Sequence, residues 1–429
     1  MTFQIKGGLT LKVNVPYGKN DSFEIDVPGK QLLGVFDPND VKKVDSDDAI
    51  DQALANPFDS ESFNSFIDTS DRIVFIVNDG TRPTPTAKVL KHIYPKIKDK
   101  NIFFIVATGV HRAPTEEEYE MIFGKDIYED LNNRNLIHSH DSKNDEMEYL
   151  GKSSNGTEMY INKIVADAKK VVPISSIEPH YFAGFTGGRK SFLPGVASYD
   201  TISQNHYLAL QDSSRAMKLD GNPVHEDMMD AMKVLKNINI FAIEMVLDSD
   251  HDIYAVTTGD LAKSFYAGID KAKEVFAVQI PKKADIVIST APYPMDVDLY
   301  QSQKALDNGK LALAKNGIEI LVAKCRTGIG PKPFYNLLSS EKDPKDVLDK
   351  IHHEWKLGYH KAAKMAQIGT WASTWAVTDL TDEEMRNVHF KPYHDLKKAF
   401  KDALDEKGDN ASVIVLPAGS MTVPEVKDH

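Results

Sequence analysis

Short runs of residues that are apolar on both faces recur along this chain, each followed by a loop and then a helical pattern. Nothing else in the sequence restricts the fold as strongly. Ile73–Val77 precedes a helical pattern near Thr86–Lys96, and Ile102–Ala107 precedes another near Thr115–Phe123. Further strands are expected at Lys170–Ile174, Ile238–Leu247, Asp285–Ser289 and Ile318–Val322. Strands buried on both faces and linked by helices belong to parallel sheets, so the sequence predicts an α/β fold with largely parallel sheets. The first 35 residues read differently. There Leu9–Val15 and Phe23–Val27 alternate apolar and polar residues around Gly and Asn, as in a β-hairpin.

The 429 residues leave room for two or three domains. The rhythm restarts at Gln279-Ile280-Pro281-Lys282-Lys283, after a helical pattern over Leu261–Val275. We therefore expect an N-terminal α/β domain over residues 1–278 and a C-terminal α/β domain over residues 279–429. The extreme C-terminal segment is free in this scheme to pack back on the first domain. It carries an amphipathic helix marked by Leu396, Ala399, Phe400, Ala403 and Leu404, then a strand at Val413–Leu416.

Charge and cysteine content exclude several functions. Sixty-three acidic residues against 51 basic ones give a net charge of −12, which repels nucleic acid and anionic membranes. The apolar runs are far shorter than the roughly 20 residues that span a bilayer. Met1-Thr2-Phe3-Gln4-Ile5-Lys6 has no leader pattern, so a soluble cytoplasmic protein is expected. The one cysteine, Cys325, rules out an intrachain disulfide and any multi-cysteine metal site, and its apolar setting suits an inert buried thiol. Fourteen histidines remain to be considered.

Two loops follow expected strands, where ligands gather in open α/β sheets. Asn78-Asp79-Gly80-Thr81-Arg82-Pro83-Thr84-Pro85 offers a carboxylate, a guanidinium and a helix start suited to an anion. Thr108-Gly109-Val110-His111-Arg112-Ala113-Pro114-Thr115 adds an imidazole. Each alone also reads as an ordinary capping turn. The richest stretch runs from Glu178 to His206. Its Gly187-Gly188-Arg189-Lys190-Ser191 is not a P-loop, because Arg189 stands where Walker A requires glycine. Either it holds a desolvated, nucleophilic lysine or it is a crossing loop with a solvated Arg-Lys pair. His206 follows in an expected helix over Tyr199–Leu210. His225-Glu226-Asp227-Met228-Met229 lacks a zincin's second histidine, and His138, His140, His352 and His353 read as surface or capping residues. Gln301 and Lys304, near Tyr293, Asp298 and Tyr300, are three apart on one helical face, for an anion or for solvent. Gly328-Ile329-Gly330-Pro331-Lys332-Pro333 has proline where a dinucleotide fingerprint has glycine.

Taken in order, these landmarks resemble the nickel-pincer lactate racemase family. The resemblance rests on Asp79-Gly80-Thr81-Arg82-Pro83, Gly109-Val110-His111-Arg112, Pro179-His180 through Lys190-Ser191 to Leu193-Pro194-Gly195, Asn205-His206, and Tyr300-Gln301-Ser302-Gln303-Lys304. The spacing of ten residues from His180 to Lys190 and sixteen to His206 is its most specific element, and Gly221-Asn222-Pro223-Val224-His225-Glu226 is family-like without assigned chemistry. The resemblance implies two α/β domains with an interdomain active-site cleft. It implies a nickel pyridinium-3,5-bisthiocarboxylic acid mononucleotide, made by accessory cofactor-synthesis proteins and attached covalently to Lys190, with His206 as the protein's nickel ligand.

Asp79, Gly80, Thr81 and Arg82 would line the nucleotide, and His111 and His180 would be the two bases. Arg82, Tyr300, Gln301 and Lys304 would bind a small anionic 2-hydroxy acid. The implied activity is racemisation by hydride transfer through a 2-keto acid, most naturally of lactate. Epimerisation of malate, an aromatic lactate or a sugar acid, and a non-catalytic phosphate- or nucleotide-binding role, are the alternatives. Trp355, Trp371 and Trp375 are candidates to line the pocket for the substrate's side chain.

Overall fold

The computed structural model describes residues 10–427. Within it the chain forms two compact units, residues 40–275 and residues 1–39 with 276–429. The second unit differs from the consecutive division expected at residues 278/279. The boundary near 276 lies close to the restart of the rhythm, but the N-terminal segment joins the C-terminal sheet. Its strand Leu32–Val35 pairs in parallel with Val413–Leu416, supplying a sheet edge whose partner is almost 400 residues away. The extreme C-terminus stays in the same unit, where Val423–Val426 pairs with Ala277–Ile280.

In unit 40–275 the main sheet runs in the order Ile253–Gly259, Ala242–Leu247, Lys170–Ser176, Ile73–Asn78, Ile102–Ala107, Ile137–Ser139. All neighbours are parallel except the first pair. The expected strand over Ile238–Leu247 divides at Phe241 into Asn239–Ile240 and Ala242–Leu247, both beside Lys170–Ser176. Ile73–Val77 are buried throughout, which explains why this strand shows no polar alternation. Helix Thr86–Ile97 covers one face with Val89, Leu90, Ile93 and Ile97, and Phe75 stacks on Phe104 at 4.8 Å in the core below it. Helix Glu116–Phe123 starts at a capping box in which Thr115 and Glu118 satisfy each other's backbone N–H groups.

The path of the chain fixes where a ligand can bind. From Ile73–Asn78 the chain moves outward to Ile102–Ala107 and Ile137–Ser139. It then returns to Lys170–Ser176 on the opposite side of the first strand. This reversal is a topological switch point, and the loops leaving the carboxyl ends of the strands beside it border a crevice.

The other unit has a six-stranded sheet in the order Lys391–Tyr393, Ser373–Val377, Leu313–Val322, Ala284–Thr290, Val413–Leu416, Leu32–Val35, parallel throughout. The hairpin Thr10–Tyr17/Asp21–Pro28 forms as the alternating pattern requires, and its Val13, Val15, Ile25 and Val27 enter the core. Leu9 and the stretch Met1 to Lys6 lie outside the described residues. No helix among the described residues is long and apolar enough to cross a membrane.

Candidate active site

Three neighbouring strands of unit 40–275 deliver the candidate residues. Parallel pairing of Asn78 with Ala107 sets the loops beginning at Asp79 and Thr108 side by side. Asp79 is 6% exposed. Its Oδ1 accepts from the Thr81 backbone N–H (3.2 Å) and hydroxyl (2.6 Å), while Oδ2 lies 2.8 Å from His111 Nδ1. Burial alone would raise the Asp79 carboxyl, but the bonds from His111 and Thr81 outweigh it and hold the group below the usual carboxylate range. An ionised Asp79 accepts the Nδ1 proton of His111, which leaves Nε2 as the lone-pair nitrogen of a half-exposed ring. Gly109, at φ +57°, lets the loop turn, and its N–H donates to the Gly195 carbonyl at 3.0 Å.

The third loop follows Lys170–Ser176. Pro179–His180 pairs back on Gly184–Phe185, forming a tight turn over residues 181–183. Gly187 and Gly188 have positive φ, and a Cβ on either would meet Ile177 at 2.6 Å or Phe265 at 2.9 Å. Arg189 is not solvated: it is 1% exposed, donates to the carbonyls of Ala183, Thr186 and Gly187, and stacks over Phe265 at 4.3 Å. Glu244 reaches the same loop from the neighbouring strand. It accepts from Gly188 N–H at 2.8 Å and Ser175 hydroxyl at 2.6 Å, and burial pushes its carboxyl up to about 7. Together these contacts immobilise the backbone on either side of Lys190.

Lys190 Nζ lies 3.2 Å from His180 Nε2. The Ala183 N–H donates to His180 Nδ1 at 3.3 Å, so the neutral ring carries its proton on Nε2 and directs it at the amine. Only a neutral amine has a lone pair to accept that bond. Desolvation, then the charges of Arg82 and Arg189, hold Lys190 well below the normal lysine range, which agrees with the neutral form. Arg82 Nη1 faces Glu178 at 3.7 Å, a contact loose enough to exchange for an anion.

His206 ends the helix Tyr199–Tyr207, capped by Ser198, and is 7% exposed. The Phe182 ring links the cluster: it lies 4.5 Å from the His180 ring, 5.0 Å from the His206 ring and 5.3 Å from Lys190 Nζ. His111, His180, Lys190, His206, Asp79 and Arg82 thus all arise from one unit, and sequence reasoning had given neither Phe182 nor Glu178 a role. Tyr300, Gln301 and Lys304 lie in the other unit, on helix Leu299–Ala312, whose N-cap Asp298 accepts from Gln301 N–H at 2.7 Å. Lys361, from helix Tyr359–Gly369, donates to the Tyr300 carbonyl at 2.9 Å and sits 3.7 Å over its ring. No sequence pattern had marked it.

Several bystanders are settled by burial. His140, expected as a surface or capping residue, is 2% exposed and lies 2.9 Å from the Ala197 carbonyl through Nε2. His225 is buried against Tyr266, and desolvation followed by the Arg189 charge drives it down to about 3, so it stays neutral. Trp375 packs into the core against Tyr393 at 5.3 Å, which removes it as a pocket wall. Cys325 is buried, and its thiol is pushed up to about 12. No group of three or more His, Cys, Asp or Glu side chains among the described residues could hold a metal by itself.

Comparison with known proteins agrees with the landmarks. Residues 17–218 match the lactate racemase N-terminal domain and residues 279–423 the lactate racemase C-terminal domain. The chain is 33% identical to a lactate racemase of Thermoanaerobacterium thermosaccharolyticum over 97% of its own length and 99% of that protein. It is also 33% identical to a lactate racemase of Lactiplantibacillus plantarum, over 88% of this chain and 90% of the relative. The solved lactate racemase apoprotein of T. thermosaccharolyticum superposes with a TM-score of 0.88 at 32% identity, covering 97% of this chain and all (100%) of that one. A Thermotoga maritima protein shares the fold alone, at TM-score 0.64 and 16% identity, covering 89% of this chain and 98% of that one. With both domain matches in sequence order and the histidine and lysine loops gathered at one switch point, the chain belongs to the lactate racemase family.

Proposed function

We propose that this protein racemises a short 2-hydroxy acid, lactate first among them, with His111 and His180 as the two bases. The observation that carries the reading is the cluster itself: two imidazoles on strand-end loops, the Lys190 amine 3.2 Å from one of them, and a third imidazole, His206, against the same phenyl ring as His180 and Lys190. In this reading the cofactor is the nickel pyridinium-3,5-bisthiocarboxylic acid mononucleotide, made by accessory proteins. The residues suit it. A neutral buried amine can be acylated, and His206 completes a metal whose remaining donors come with the organic group. Asp79, Gly80, Thr81 and Arg82 would line its nucleotide. When bound, the cofactor supplies a hydride acceptor beside a nickel centre.

The protein's own contribution is proton transfer and orientation. His111, fixed through Nδ1 by Asp79, takes and returns the substrate hydroxyl proton at Nε2. Once Lys190 is acylated it no longer accepts from His180. To serve the opposite face of the substrate as a base through Nε2, His180 must then take the other tautomer, with its proton on Nδ1, giving up the 3.3 Å bond from the Ala183 N–H. Arg82 exchanges Glu178 for the substrate carboxylate, with Tyr300, Gln301 and Lys304 as further contacts. Local cations must draw the anion in against the −12 charge of the whole. The lone buried thiol suits a reducing cytoplasm.

The test is intact-mass and nickel analysis of protein made with its cofactor-synthesis partners, followed by a panel of single-enantiomer 2-hydroxy acids. We expect added mass that disappears in Lys190→Ala, bound nickel, and loss of optical purity for lactate. Unmodified Lys190 in fully matured material, or no loss of optical purity with any acid, would remove the reading.

A further inference from the structure

The motif Gly221-Asn222-Pro223-Val224-His225-Glu226 has no part in the chemistry above, yet Asn222 is wholly buried (0% exposed). Its Oδ1 caps helix Pro223–Ala231, accepting the N–H groups of Val224 (3.1 Å) and His225 (3.3 Å). Its Nδ2 points away from the helix and donates to the carbonyls of Phe182 and Lys218, each at 2.9 Å. The next two carbonyls of the same turn are held as well: Ala183 accepts from Arg189 at 2.7 Å, and Gly184 from the Met217 N–H at 3.0 Å. Three consecutive carbonyls are thus fixed by three separate groups. The turn has little freedom to move, since Gly184 is at φ +78° and a Cβ there would stand 2.5 Å from the Lys218 carbonyl.

We propose that Asn222 is a positioning residue: through the Phe182 carbonyl it fixes the turn that holds the phenyl ring against His180, His206 and Lys190. The proposal rests on the reading above for what those three residues do. A helix cap alone can be Ser, Thr or Asp. An amide is needed because one side chain must accept from the helix and donate to two carbonyls at once.

Two variants separate the roles. Asn222→Ser keeps a cap oxygen but cannot reach Phe182; Asn222→Asp also keeps the cap but sets a carboxylate oxygen against two carbonyls. The first readout uses cofactor-free protein: the rate at which acetic anhydride acetylates Lys190 at pH 8, measured by peptide mass spectrometry relative to exposed Lys12. The second is kcat and KM of the loaded protein per attached cofactor. We expect Lys190 acetylation to rise about tenfold and kcat to fall about ten- to a hundredfold, with KM within about threefold, since small misplacements act on turnover. Wild-type acetylation and turnover with only a lowered melting temperature would make Asn222 a cap and overturn the proposal. If the Asp variant does not fold, the Ser variant decides. A wild-type protein that racemises nothing would sink the proposed function, while the acetylation change would still support the brace on Lys190.

Discussion

Replacing Asp79 by asparagine tests the proposed base most directly, because the structure dictates how the amide must sit. Thr81 presents a backbone N–H and a hydroxyl to Oδ1, at 3.2 and 2.6 Å. The amide oxygen must take that place, since an NH2 group cannot accept from the N–H. The NH2 then falls where Oδ2 stood, 2.8 Å from His111 Nδ1, and donates to it. That moves the ring proton to Nε2 and removes the lone pair that would take the substrate's proton. Turning the amide round loses about two hydrogen bonds and opposes donor to donor, which costs about 3 kcal/mol. Turnover should therefore fall by about two orders of magnitude. The assay is chiral chromatography of lactate on protein matched for Lys190-bound cofactor and nickel. Because the enantiomers have equal free energy, kcat/KM must fall equally in both directions. In a single turnover, keto acid should still form from the enantiomer that His180 serves. Asp79→Asn protein with full cofactor and a kcat within about threefold of wild type would refute the tautomer argument.

Three further outcomes follow from other parts of the molecule. Glu319, wholly buried with no hydrogen-bond partner for either oxygen among the described residues, is pushed well above the normal carboxyl range by desolvation. A raised folded-state value means its contribution to stability is complete below the ordinary carboxyl value and is lost as pH rises toward the folded one, so Glu319→Gln should melt higher than wild type at pH 8 and lose that advantage at pH 5. Gly184→Ala should destabilise by about 1–3 kcal/mol in denaturant titrations, because of its positive φ and the Lys218 carbonyl 2.5 Å from the new Cβ; a neutral result would mean the 181–184 turn can relax. Cys325, its thiol raised to about 12, should resist iodoacetamide in native protein and react fully in urea, as intact mass would report.

The local chemistry of this chain could be read from residue order alone. Apolar runs such as Ile73–Val77 marked buried strands, and the turn at Pro114-Thr115 marked a helix start. The loops holding Asp79, His111, His180 and Lys190 stood out because strand ends followed by Gly, Pro and charge are visible over a few residues. Burial of polar groups was not visible. A solvated Arg189 was one of two readings of its loop, and Glu244 had no reading beyond its place in an expected strand; only the loop carbonyls and the Gly188 N–H give the two their interior roles.

By itself, then, the sequence determined the α/β class, the positions of the strand-end loops and the inventory of reactive groups, since hydrophobic period and turn chemistry act between near neighbours. The tertiary structure decided which loops meet. Pairing of Asn78 with Ala107 brings the Asp79 loop to His111, and the return of Lys170–Ser176 to the far side of Ile73–Asn78 brings in Lys190. It also decided that Leu32–Val35 completes the sheet of the C-terminal unit. Strand pairing depends on contacts between distant residues, and no local pattern in the chain records which distant edge a strand will find.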